Sequence, residues 1–225
     1  MFPGRINKQD KIRNKSDEEI NMSISIQWNE KKQSFYKWRV NLGITEKIIL
    51  SAVFAIAVAV SAQVRIPLPW SPVPITAQTI AVFTGAVILG RYWGGISFLI
   101  YIIMGMAGLP VFSGFKSGTA ALLGPTGGYL IGFAIAAFLI GHLTDKYAIA
   151  RKPLNLLMIM LVSNFAIVHL IGLVQLYFWM DIAIGKHLGL KELFFMGCFP
   201  FIAGDIVKII ISSFLASSLS VRKQI

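Results

Sequence analysis

Long uncharged intervals dominate the chain. Charged residues bound Ile48–Val64, Ile66–Gly90, Tyr92–Phe115, Ser117–Thr144 and Pro153–Met180, and a sixth interval, Leu193–Val221, is interrupted only by Asp205 and Lys208. A bilayer crossing takes about 20 mostly apolar residues. The pattern therefore predicts an all-α, polytopic integral membrane protein with six transmembrane helices, near 46–64, 75–90, 93–110, 125–143, 154–180 and 200–219. The second is short, so it tilts little or begins inside the preceding loop. The short segments of alternating polarity that build a membrane β-barrel are missing from the sequence.

Residues 1–43 break the pattern. They carry nine Lys/Arg and five Asp/Glu among scattered Asn, Gln and Ser. No apolar segment of signal-peptide type precedes the first span. The expected organisation is a polar, basic, cytoplasmic tail over 1–43, largely disordered or lying on the membrane surface, followed by a six-helix membrane domain over 44–225. Phe35, Tyr36, Trp38 and Val40, interleaved with Lys37 and Arg39, suit an anionic membrane surface, with a plain solvated tail as the alternative. The sequons at Asn14 and Asn21 then carry no meaning.

Composition sharpens this. Of 225 residues, 56% are hydrophobic and 14% charged, against about a quarter charged in soluble domains. The formal net charge is +11, from 21 Lys+Arg against 10 Asp+Glu. With the N-terminus inside, 16 basic residues fall on the cytoplasmic side, while Arg65, Lys116, Lys186 and Lys191 fall outside and Lys208 lies in a span. By the positive-inside rule both termini are expected in the cytoplasm of a multi-pass cell (inner) membrane protein. Basic residues that track one membrane side argue against a nucleic-acid partner. The one cysteine, Cys198, excludes an internal disulfide and a cysteine-based zinc cage.

Two outer loops stand out. RIPLPWSPVP, from Arg65 to Pro74, holds four prolines, so it is expected to be stiff, extended and non-helical. Gly108–Gly128 is rich in glycine, which permits tight turns and close approach to a ligand. Irregular backbone near membrane depth is tolerated where it lines a cavity. Two such loops on one face predict a capped cavity, against the plainer reading of ordinary connections. Small residues recur every four positions at Ser51, Ala55 and Ala59, at Ala77, Ala81 and Gly85, and at Gly124, Gly128, Gly132 and Ala136. Such faces let helices pack closely in lipid. Packing inside the chain is expected for most of them, and a partner-facing surface is open for the first.

Chemistry concentrates in PFIAGDIVK, Pro200 to Lys208. Pro200 can open the last helix. Asp205 and Lys208, three apart, share a helix face. Ionisable groups inside a span are costly and face a cavity or each other. The pair offers an acceptor and a donor, which suits a urea or amide solute. A proton or cation relay and a purely structural ion pair remain alternatives. Gln78, Lys116 and Tyr129 are further candidates. Asn164 and His169, mid-span in the fifth helix, read as hydrogen-bonding glue between helices and stay outside the candidate site. The sequence lacks GxxxxGK[ST], HExxH and GxSxG, and has no His, Cys and carboxylate cluster, so neither an enzyme, nor ATP hydrolysis by this chain, nor a resident cofactor or metal is expected.

RIPLPWSPVPITAQT (Arg65 to Thr79), GLPVFSG (Gly108 to Gly114), LLGPTGGYLIGF (Leu122 to Phe133) and PFIAGDIVK occur in the order and spacing of one family. From about Ile44 onward the chain resembles the BioY family, the biotin-capturing S subunits of energy-coupling-factor (ECF) transporters. The resemblance implies six helices, cytoplasmic termini and a biotin site near the outer face under the first and third outer loops. It implies that Asp205 and Lys208 contact the ureido ring. Trp70, Phe112 and Tyr129 are the expected apolar walls, and Lys116 is a candidate partner for the carboxylate. It further implies partners: an ECF transmembrane coupling subunit and two ATPase subunits, docked through the face of Ser51, Ala55 and Ala59. Two positions depart from the family pattern: Lys116 stands where a small polar residue such as Asn is common, and Leu130 where some members carry Arg. An S subunit for another small vitamin, a stand-alone proton-driven transporter and a membrane scaffold are the competing functions.

Overall fold

A computed structural model describes residues 22–220 apart from 24, 25, 28, 29, 32, 36 and 91. The tail reading for residues 1–21 and Tyr36, the sequons at Asn14 and Asn21, and the sidedness of Arg91, Arg222 and Lys223 lie outside the described residues. The chain divides into two compact units, Met1–Asn41 and Leu42–Ile225. In the first, the described residues from 22 to 41 are helical. Phe35 and Trp38 pair there at 5.5 Å between ring centroids and remain solvent-exposed, as does Val40.

The second unit opens with α1 (Ile44–Gln63), an unbroken helix of 20 residues whose buried face is Ser51, Ala55, Val58 and Ala62. The proline-rich loop follows as an antiparallel hairpin of β1 (Arg65–Leu68) and β2 (Ser71–Thr76). This small sheet amends the all-α expectation. Proline cannot donate to a ladder, and edge strands of a two-stranded hairpin tolerate it. Next come α2 (Gln78–Leu89), α3 (Trp93–Met106), the single turn α4 (Thr119–Leu122) and α5 (Gly127–Lys146).

The last two helical stretches are interrupted. In the fifth, α6 (Pro153–Val162) runs through a π-helical turn, Ser163–His169, into α7 (Leu170–Ile184). In the sixth, α8 (Leu190–Gly197) is separated from α9 (Ile202–Leu219) by a 3₁₀ turn, Phe199–Phe201. The hydropathy pattern had not resolved α8 as an element.

Among the described residues, four helical stretches are long and apolar enough to cross a membrane: Ile44–Gln63, Gly127–Lys146, Pro153–Ile184 and Leu190–Leu219. The other two candidates, α2 and α3, have 12 and 14 residues, which at 1.5 Å per residue is about 18 and 21 Å against a hydrocarbon core of about 30 Å.

Helix α5 is the central post: two-thirds of its apolar window is buried, against about a fifth of that of α1. It packs against α2, α3, the π turn and α7, while α9 packs against α2 and α6. Gly132 explains the closest approach. A Cβ there would stand 2.7 Å from the Val168 Cα, so the backbones of α5 and the π turn meet only because the side chain is missing. Phe83, Phe98, Tyr101 and Phe133 interlock beside α5 with centroid separations of 5.2–6.1 Å. The small-residue faces thus serve packing within the chain. Ser51 and Ala55 are fully buried, and the Ser51 hydroxyl donates to the Trp93 carbonyl at 3.4 Å. Along that face α1 packs on α3, with Ala59 half-buried.

Candidate functional site

A cavity opens between the hairpin, the glycine-rich loop, α2, α5, the π turn and α9. Its empty volume, mouth included, is about 1020 Å³, the upper end of the range for small-molecule pockets. The walls are mostly apolar, with Phe112, Tyr129, Leu130, Phe133, Val168 and Phe201 among them.

The break between α8 and α9 builds one wall. Pro200 has no N–H, so the Met196 carbonyl four residues earlier loses its helical partner. The Ser71 hydroxyl of the hairpin donates to it instead, at 2.7 Å. The Phe201 N–H turns to Cys198, and the Gly197 carbonyl it would have met receives the Tyr129 hydroxyl at 2.6 Å, with His169 Nδ1 facing it at 3.3 Å. One proline therefore draws the hairpin, α5 and the π turn onto the start of α9, since buried carbonyls need donors.

Asp205 lies on the first turn of α9, 4% exposed. Lys208 Nζ donates to its Oδ1 at 2.6 Å and to the Thr76 carbonyl of β2 at 3.0 Å. Asn164 Nδ2 and His169 Nε2 each donate to Asp205 Oδ2 at 2.8 Å. An ionised carboxylate held by charge-assisted donors is fixed in position and direction.

Asn164 and His169, left out of the sequence-level site, line the cavity with Asp205. They do act as glue, but the carboxylate they hold faces the pocket. The missing signal was helical phase. In an α-helix residues five apart point about 140° from one another. The i→i+5 bonding of a π turn brings such residues to the same side, and nothing in the residue sequence marks where that turn falls.

The other candidates divide. Gln78 lines the cavity, donating from Nε2 to the Tyr101 hydroxyl at 3.0 Å and accepting from the Thr76 hydroxyl at 3.2 Å. Phe112 and Tyr129 are buried in its wall. Lys116, solvent-exposed, lines it beside Arg65, which was not singled out from the sequence. Trp70 does not line it: it sits at the hairpin turn, half-exposed, where the chain reverses between Leu68 and Ser71. The loop carrying Phe112 and Lys116 is clamped to the end of α1. Gln63 Nε2 donates to the carbonyls of Val111 and Phe112 at 3.2 and 3.1 Å, and its Oε1 accepts the Phe115 N–H at 3.0 Å. Gly105 makes room below, since a Cβ there would lie 2.1 Å from the Phe112 ring. Among the described residues no group of three or more His, Cys, Asp or Glu is placed to hold a metal ion.

The sequence profile of the BioY family matches residues 29–224. The chain belongs to the BioY family. Its relatives include a biotin transporter BioY from Thermotoga maritima, 32% identical over 173 residues, covering 77% of this chain and 95% of that protein. A probable biotin transporter BioY from Methanothermobacter thermautotrophicus is 50% identical over 123 residues, covering 55% of this chain and 78% of that one. Among solved structures, the S-component for biotin from an ECF-type ABC transporter superposes with a TM-score of 0.69 at 28% identity, covering 81% of this chain and 95% of that chain. This BioY-family chain is a multi-pass membrane protein with the fold of an S-component.

Proposed function

We propose that this chain captures biotin in the cavity and delivers it inward with an ATP-driven ECF module. The observation that carries the reading is the Asp205–Lys208 pair on an apolar cavity wall, in a chain of the BioY family. A cyclic urea presents two N–H groups and one carbonyl. Asp205 Oδ1 accepts from one N–H, and Lys208 donates to the carbonyl through its third N–H, the two others going to Asp205 and Thr76. Apolar side chains receive the thioether ring. The valerate carboxylate reaches the mouth, where Lys116 and Arg65 stand.

The chain crosses the membrane six times in this reading, with both termini in the cytoplasm. Helices α2 and α3 are short because the hairpin and the loop that cap them occupy membrane depth within protein. Energy comes from partners, a transmembrane coupling subunit and two ATPase subunits, because the sequence contains no GxxxxGK[ST] phosphate loop.

Isothermal titration of the purified protein with biotin tests the reading. Asp205→Asn should weaken binding by roughly 10- to 150-fold, the range for losing a hydrogen bond to a charged group, while thermal unfolding reports whether the variant remains folded. Wild-type affinity in a folded Asp205→Asn protein would remove Asp205 from the site. A wild type showing no biotin binding would refute the function.

A further inference from the structure

The stretch before α1 carries an aromatic pair that stays exposed. Its described residues between 30 and 41 are helical. At about 100° per residue, Lys31, Phe35 and Trp38 fall on one side of such a helix. All three are exposed, and the two rings meet each other at 5.5 Å. Gln33, on the far side, and Lys37, on the flank, are exposed too, whereas Arg39 is buried. A helix this short is marginal in water by propensity alone and draws most of its stability from packing one face.

Charge and position say what covers that face. From residue 30 to residue 47 the sequence holds five Lys/Arg against two Glu. Two residues, Leu42 and Gly43, join the stretch to α1, a reach of no more than about 7 Å. Helix α1 is long and apolar enough to cross a membrane. Gly43 is extended, with φ −66° and ψ 167°, and its N–H donates to the Glu46 carboxylate at 2.8 Å. This cap starts α1 afresh, so the preceding helix need not continue along the same axis. A short basic and aromatic helix at the entry point of a span matches the headgroup region of an anionic bilayer. Aromatic rings favour that depth, and long Lys side chains reach from it to the phosphates.

We propose that this stretch is an interfacial helix that docks on the anionic surface of the bilayer α1 enters. Phe35 and Trp38 seat at headgroup depth, and Lys31 and Lys37 pair with lipid phosphates. The partner is the lipid surface rather than a protein groove. Two exposed rings offer little area for a stable protein interface, whereas each cation near an anionic surface strengthens attachment by roughly 5-fold. Attachment fixes the direction in which the chain leaves α1 and favours membranes rich in anionic lipid. The inference goes beyond the biotin reading and does not depend on what the cavity binds.

The test uses the full chain in nanodiscs. Cys198, the one cysteine, is buried, so a cysteine introduced at the surface takes a nitroxide label selectively. Ser34→Cys places the label one helical turn from Trp38, and Gln33→Cys places it on the far side. Lipid favours collision of the label with oxygen and excludes a water-soluble nickel complex. Water favours the nickel complex, and burial in protein suppresses both. In nanodiscs containing phosphatidylglycerol, the label at 34 should meet oxygen preferentially and the label at 33 the nickel complex. Lys31→Gln with Lys37→Gln should shift the balance from seated to free by roughly 25-fold. Pure phosphatidylcholine or high salt should shift it the same way. Thermal unfolding establishes that each variant is folded. Equal exposure of both labels to the nickel complex in phosphatidylglycerol overturns the proposal. A label at 34 shielded from both probes assigns the face to a protein contact and also overturns it. So does unchanged seating in pure phosphatidylcholine, since the attachment then owes nothing to anionic lipid.

Discussion

The first helix and the last two helical stretches draw on the same apolar residue types and do opposite things with them. Helix α1 is a single unbroken helix of 20 residues with one buried face, Ser51, Ala55, Val58 and Ala62, and the rest exposed or half-buried. All its backbone groups except those at its ends are satisfied within itself, so it asks nothing of its neighbours but shape. The stretches Pro153–Ile184 and Leu190–Leu219 are interrupted by a π turn and a proline-bearing 3₁₀ turn. Each interruption shifts side-chain phase or frees carbonyls, and the surrounding elements supply the missing donors. Asn164, His169, Asp205 and Lys208 all come from these two stretches. In an apolar solvent, regular helices serve for crossing and packing, and the irregular ones carry polar chemistry because their own neighbours must satisfy them.

The comparison is broken most severely at the contact that holds the π turn against α5. Gly132→Leu places a side chain where a Cβ alone would be 2.7 Å from backbone. The expected outcome is a protein that no longer elutes as a folded species in detergent, with biotin binding lost. A folded, binding Gly132→Leu protein would mean that α5 and the π turn need not touch. Next in size is a paired substitution on α1. Ala55 is 0% exposed and Ile56 is 54% exposed. Ala55→Trp should lower stability by about 1–3 kcal/mol or more through overpacking, whereas Ile56→Trp should stay within about 0.5 kcal/mol. Thermal unfolding of the two side by side decides it, and equal effects would mean that the Ser51–Ala55 face is not internal.

Smaller still, Tyr129→Phe removes the hydroxyl that caps the Gly197 carbonyl. A loss of about 1 kcal/mol in stability is expected, with biotin affinity falling a few-fold as the start of α9 loosens. No change in unfolding temperature would show that the freed carbonyl needs no partner. The smallest effect belongs to the mouth. Lys116 is exposed, so Lys116→Ala should cost at most about 1 kcal/mol, roughly 5-fold in affinity. The loss should shrink in high salt and vanish for the methyl ester of biotin, since screening and esterification both remove the charge attraction. An equal loss for the ester would assign Lys116 a structural role.

Much of this was legible in residue order. Run length and charge placement are local quantities, and they located the long helices to within a few residues, except that the last stretch begins at Leu190, ten residues before the expected start. The four prolines from Arg65 to Pro74 announced extended backbone, though not that it would close into a hairpin, because pairing depends on where Ser71 can anchor. Asp205 and Lys208 stood out because two charges inside an apolar run demand a reason. Asn164 and His169 did not, because a polar residue in a span has a structural use more often than a ligand.

Crossing the membrane, the placement of the Asp–Lys pair on the last helix and the kinship of the chain follow from the order of residues, since hydrophobic length, charge and motif spacing need no knowledge of the fold. The meeting of Asn164, His169 and Asp205 does not. It depends on helical phase across a π turn and on carbonyls freed at Pro200, and both acquire their partners only when α5, the hairpin and the last two helical stretches are packed together.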